Sequence, residues 1–157
     1  MGESNKKKIV IIAAFLLFFI AGIAYISLLP KDEQQEYKVA SPEEVVKQYF
    51  TAWNNKNYPD MYSAISDGFK KIEPTAKDFR AFESYADSQG INGIRIISIQ
   101  EESNDGISSS VDYSVEFTLS NGKKSKFDGT FTLKYRPGDI IAGWKLIHPY
   151  GENIDGS

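Results

Sequence analysis

The chain contains no cysteine, which removes disulfides, thiolate metal sites, a thiol nucleophile and a lipid-bearing cysteine at a stroke. Histidine is nearly as scarce: His148 stands alone, and one imidazole among scattered carboxylates makes no zinc site. No metal and no cofactor are expected. The only run of three basic residues is Lys6, Lys7 and Lys8, in a chain of net charge -3, so a nucleic-acid-binding surface is not expected. What the sequence does have is one long apolar run at its start and, after it, enough residues for a single domain with a real core.

The run is Ile9 to Leu29, IVIIAAFLLFFIAGIAYISLL, without a charge. As a helix it measures roughly 30 Å, the thickness of a bilayer's hydrocarbon. A cleaved signal peptide is the other reading, but its apolar core covers only about 7 to 15 residues before a small-x-small site, and Ala24-Tyr25-Ile26 is a poor site. The expectation is an uncleaved transmembrane helix at 9–29. Lysines precede it at 1–8 and Pro30, Lys31, Asp32 and Glu33 follow, so the positive-inside rule predicts a cytoplasmic N-terminus and a single-pass protein of the cell membrane. Residues 30–40 are polar and aperiodic and read as a tether to an extracytoplasmic domain at 41–150, followed by a tail at 151–157.

Within that domain, Ser41-Pro42-Glu43-Glu44 is a capping box with proline in the first turn. Val46, Tyr49, Phe50 and Trp53 then recur at helical spacing. Asn54 to Asn57 break the helix, Pro59 opens a second one through Met61, Tyr62 and Ile65 that stops near Gly68, and a third is expected from Thr75 to a left-handed Gly90. From Ile91 the period changes to two. Ile94 to Glu101 is a first strand, 109–119 and 126–135 alternate cleanly, and Ile140 to Pro149 reads as a last strand with Trp144, Leu146 and His148 on one side. A two-residue turn at Asn121-Gly122 would set Phe117 opposite Lys126 and mix the faces. A three-residue loop, Ser120-Asn121-Gly122, instead predicts Val115 against Phe127, Glu116 against Lys126 and Tyr113 over Gly129. The fold class is therefore α+β: after the membrane helix, three helices packed in a curved, antiparallel four-stranded sheet, a cone.

The opening SPEEVVKQYFTAWNNKNYPDMYSAI, the FRAFESYADSQGI stretch and the closing GWKLIHP resemble the nuclear transport factor 2-like (cystatin-like, cone-shaped) superfamily, and within it the N-terminal non-catalytic domain of some penicillin-binding transpeptidases, which also follows a membrane anchor. No transpeptidase domain is expected after this one. Ser120-Asn121-Gly122-Lys123 matches Ser-x-x-Lys, but it sits in a hairpin turn without partner motifs and reads as chance.

Enzymes of that superfamily aim acidic, His or Tyr groups into the cone, where desolvation tunes them. Here Asp112, Glu116 and Asp128 fall on the opposite face, so no enzyme is expected. The leading reading is a membrane-anchored, non-catalytic domain for protein interaction or assembly at the cell envelope, its partner an envelope protein or a second copy meeting the sheet face at Ser114, Glu116, Thr118, Lys126, Asp128, Thr130, Thr132 and Lys134. The alternative is a carrier or sensor of a small apolar ligand, with pocket candidates Tyr49, Trp53, Tyr62, Phe82, Tyr113, Phe117, Phe131, Tyr135, Trp144 and His148. A hydrolase or isomerase using His148 is the third.

Overall fold

Helix α1, Pro42–Asn54, starts as its first four residues dictate. In the computed structural model, which describes residues 39–150, the Ser41 hydroxyl accepts from the Glu44 N–H at 3.3 Å and the Glu44 carboxylate accepts from the Ser41 N–H at 2.7 Å. The expected membrane helix, the tether up to residue 38 and the tail from 151 lie outside the described residues. Among the described residues no helix is long and apolar enough to cross a membrane. Val45, Val46, Phe50 and Ala52 of α1 are buried, with Tyr49 and Trp53 packed against them.

Among the described residues four helices precede the sheet, one more than the three expected for this domain. After α2, Tyr58–Ala64, the chain is extended at Ile65 (φ -89°, ψ 147°), and α3, Asp67–Ile72, begins at the buried Ser66, whose hydroxyl accepts from the Phe69 N–H at 2.9 Å. Gly68, read as a stop, lies in the first turn of this helix. The helix expected from Thr75 begins later, as α4, Phe79–Ser88, capped by Asp78. Thr75 is held in a turn instead, both its N–H and its hydroxyl donating to the Glu73 carboxylate. Gly90 ends the helical half at φ +62°.

Four antiparallel strands follow in the order β1 (Ile91–Asn104), β2 (Ser108–Leu119), β3 (Lys124–Arg136), β4 (Gly143–Leu146). The β2–β3 register is the expected one: Val115 faces Phe127, Glu116 faces Lys126 and Tyr113 faces Gly129. Leu119 donates to the Lys123 carbonyl across the three-residue loop, with Gly122 at φ +79°. Gly129 is required there, because a Cβ would stand 2.6 Å from the Tyr113 hydroxyl.

Two strands differ from expectation. β1 is longer than 94–101 because register shifts at Ile91/Gly93, Ile96/Ser98 and Glu101/Ser103 carry the pairing through an irregular pattern. The middle shift returns Ile99 to the side of Ile94 and Ile96, and all three pack on the core. β4 is shorter than 140–149. At its start the Asp67 N–H donates to Asp139 and the Ile140 N–H donates to Asp67, both at 3.0 Å, which binds the turn to α3 rather than to β3. Its alternation also fails, since Lys145, Leu146 and Ile147 are all buried.

Neither border of the sheet is open backbone along its length. On β1 the Asn54 carboxamide accepts from the Ile94 N–H and the Glu43 carboxylate from the Glu101 N–H, each at 2.7 Å, while Lys56 donates to the Ile91 carbonyl at 2.6 Å. On β4 the Ser66 N–H donates to the Leu146 carbonyl. Borders filled in this way resist pairing with a second chain.

Candidate functional site

The hollow of the cone is lined by α1 on one side and by β2 and β3 on the other, and the alternation of those strands decides what lines it. Tyr49, Phe50 and Trp53 meet Tyr113, Phe117 and Phe131. The rings are in direct contact: Tyr113–Phe131 at 4.6 Å between centroids, Phe50–Tyr113 at 5.0 Å, Trp53–Phe117 at 5.5 Å and Tyr49–Phe131 at 5.8 Å. Below them Val46, Val111, Val115 and Leu133 are fully buried. Burial, and then the neighbouring Tyr113 and Tyr85, push the Tyr49 phenol well above its ordinary range. A phenol so placed stays protonated at neutral pH and is no general base. The Trp53 indole N–H is buried without an acceptor among the described residues.

The carboxylates of β2 and β3 point away from this hollow. Asp112 is exposed and accepts from the Thr130 hydroxyl at 2.6 Å. Glu116 takes Arg95 at 3.4 Å and Lys124 at 3.2 Å, and those two cations hold its carboxyl below the usual range. The Ser114 hydroxyl and Lys126 do the same for Asp128.

His148 lies elsewhere, against α3. Its Nε2 is 3.3 Å from the Glu73 carboxylate, its Nδ1 accepts from the Tyr150 N–H and its ring meets Phe69 edge-on at 4.9 Å. In the tautomer in which Nδ1 accepts, the Nε2 proton points at Glu73. Glu73 is held below its ordinary value first by the Thr75 backbone and hydroxyl donors and then by His148. This chain of bonds fastens the segment after α3 to the segment after β4. It is a clasp, with both imidazole nitrogens engaged.

Sorted by place, the ten pocket candidates form separate groups. Tyr49, Trp53, Tyr113, Phe117 and Phe131 share the hollow. Tyr62 and Phe82 make their own contact at 5.3 Å between α2 and α4, and the Tyr62 hydroxyl donates to the Ala76 carbonyl. Tyr135 and Trp144 meet at 5.8 Å across β3 and β4, and His148 is in the clasp. Of the sheet-face candidates, Lys126, Asp128 and Thr130 are exposed, Glu116, Thr118, Thr132 and Lys134 are half-buried, and Ser114 is buried.

Sequence reasoning gave no role to Lys145, which the structure makes conspicuous. It is 6 % exposed, donates to the Ser63 carbonyl, and has its pKa lowered by burial and by Lys70, against the pull of Asp139 and Asp67. In the sequence it is one polar residue in a strand, and only the packing of α2 and α3 over β4 reveals it.

Helices laid in the concavity of a curved antiparallel sheet define the class of cone-shaped, nuclear transport factor 2-like domains. Residues 41–150 match the family described as the NTF2-like N-terminal transpeptidase domain, and the chain belongs to that family. Penicillin-binding protein 3 of Bacillus subtilis (strain 168) is 25% identical over 113 residues, which cover 69% of this chain and 17% of that protein. The chain thus spans a small part of its curated relative's length. Among solved structures, a SEC-C motif containing protein of Psychrobacter arcticus superposes with a TM-score of 0.50 at 12% identity, covering 74% of this chain and 64% of the other. Another, from Rhodopseudomonas palustris, gives a TM-score of 0.50 at 12% identity, covering 69% and 76%. Identity this low speaks for the fold alone.

Proposed function

We propose that this protein is a non-catalytic interaction domain of the cell envelope, held outside the membrane by a single N-terminal span and meeting its partner through the outer face of the sheet. The observation that carries the reading is the hollow itself: aromatic side chains in contact at 4.6 to 5.8 Å line it, and the carboxylates of β2 and β3 are engaged on the other face. A reaction needs an acid or base beside a space for substrate. Here the carboxylates of β2 and β3 and the apolar interior are kept apart by strand parity, and the phenol that does lie inside, Tyr49, has its pKa raised by burial. The likeness to a penicillin-binding protein and the family's link with transpeptidases support a place at the envelope. Alternating charges of both signs and short hydroxyls, from Glu116 through Lys126, Asp128 and Thr130, suit a polar protein surface.

The carrier reading keeps one observation in its favour, the Trp53 indole N–H without an acceptor, which a ligand oxygen would satisfy. The ring contacts around it weigh the other way.

The test is photo-crosslinking in the native host with a light-activated residue at Lys126 or Thr130, alongside His148→Ala. The expected result is a discrete adduct from the sheet-face positions, lost on Glu116→Lys, and unchanged adduct formation in the His148 variant. Adducts that survive Glu116→Lys, or that appear only from positions in the hollow, would overturn it.

A further inference from the structure

One end of the sheet collects large apolar side chains that the fold leaves in water. Ile107 is 70% exposed, Ile140 93%, Ile141 51% and Tyr135 36%. Single exposed residues of this kind are ordinary on any surface. These are brought together by backbone pairing. The Tyr135 N–H donates to the Ile107 carbonyl at 2.8 Å, the Tyr135 ring meets Trp144, and Ile140 and Ile141 lie in the turn that joins Arg136 to its partner Gly143. The turn is fixed: the reciprocal bonds between Asp67 and the Asp139–Ile140 segment hold it, so the two isoleucines are presented rather than left to fold back.

The polar groups of this rim favour a lipid surface. Asp105, the acidic residue of the β1–β2 turn, accepts from the Ser108 and Ile107 N–H groups, and those bonds hold it below its usual range. Lys134 and Arg136 flank Tyr135 in β3. Tyr beside Ile, with Lys134 next to it in the strand, is the composition of a membrane-interface contact.

What places a bilayer here is the point at which the chain arrives. Val39 lies at this rim, its Cγ1 3.9 Å from where a Cβ on Gly143 would stand. Only residues 30–38 separate it from the apolar run at 9–29, and nine residues reach at most about 30 Å at roughly 3.3 to 3.6 Å each. The rim is thus the place on the domain where the leash to the apolar run is attached. We propose that Ile107, Tyr135, Ile140 and Ile141 rest on the outer leaflet, dipping apolar side chains among the headgroups and standing the sheet on end. This rests on the anchored reading above.

The chain's lack of cysteine makes the test clean. In the full-length protein reconstituted into phosphatidylglycerol–phosphatidylethanolamine vesicles, Ile107→Cys, Ile140→Cys and, at the far end, Asn121→Cys each receive one environment-sensitive fluorophore. The expected result is blue-shifted emission at 107 and 140, lost to quenchers carried on lipid headgroups, with the label at 121 unaffected. Labels at 107 and 140 as wet and as unquenched as that at 121, in protein that resists alkaline extraction, would overturn the rim contact and leave the anchor standing. Blue shift without lipid quenching, rising with protein density, would assign the rim to a second copy and overturn it too. Protein released by alkaline extraction would sink the anchor and this inference together.

Discussion

Replacing Gly129 by alanine asks whether the centre of the sheet is built around one ring. The added Cβ would stand 2.6 Å from the Tyr113 hydroxyl and 2.8 Å from its ring carbon Cζ, distances that packed atoms do not adopt. A long flexible side chain would swing aside, but this ring is bounded by Phe50 at 5.0 Å, Phe131 at 4.6 Å and Phe127 at 6.3 Å. Overpacking of that kind costs about 1 to 3 kcal/mol. Removing a glycine from a strand returns about 0.5 to 1 kcal/mol, and Gly129 is not among the positive-φ glycines, so alanine meets no backbone penalty. The net expectation is a loss of about 1 to 2 kcal/mol, read as a lower urea midpoint with an unchanged slope. The sign should reverse when the ring is gone: in a Tyr113→Ala background, Gly129→Ala should be neutral or stabilising, a coupling of about 2 kcal/mol. A Gly129→Ala change that is neutral in both backgrounds would refute the close approach.

The other expectations concern single groups. Ser41→Ala should cost about 1 kcal/mol by breaking the reciprocal cap of α1, measured by denaturant unfolding. Phe50→Ala, at a side chain 2% exposed, should cost about 3 to 5 kcal/mol in the same assay. Glu73 has a folded-state pKa below its ordinary value of 4.5, so its stabilisation is present above that value and is lost as pH falls through the folded pKa. The stability gap between the parent and Glu73→Gln should therefore close in acid, seen in urea midpoints from pH 6 to 3. Lys145 has a depressed pKa, so the unfolded chain binds the extra proton and the parent should gain stability relative to Lys145→Met as pH rises towards 10. A parallel pair of pH profiles would contradict the burial assigned to it.

The sheet was readable where one face meets oil and the other meets water. In the sequence of β2 and β3 apolar and polar residues alternate from Val111 to Leu119 and from Lys126 to Leu133, and matching the faces across Ser120-Asn121-Gly122 was enough to choose the register. The amphipathic stripe and capping box of α1 were legible for the same reason. Reading failed where tertiary contacts decide. Ser66 caps α3 only because the chain is extended at Ile65 and pairs with β4, and Gly68 looked like an ending. Lys145 looks like a surface residue until α2 and α3 cover β4. Of the candidate site, the five aromatic residues of the hollow share a neighbourhood because they lie on faces that the sequence already opposes. Tyr62, Phe82, Tyr135, Trp144 and His148 belong to other neighbourhoods, set by how the ends of elements are tied, through bonds such as Glu73 to His148 that no spacing announces.

The way α1 closes β1 has a bearing on how this protein goes wrong. Asn54, Glu43 and Lys56 reach the strand border only while the helix is seated, so a single event, the helix lifting off, bares fourteen residues rich in isoleucine. Such a segment recruits others like it. Shelf life and expression yield should then track the grip of one helix more closely than the melting point of the whole.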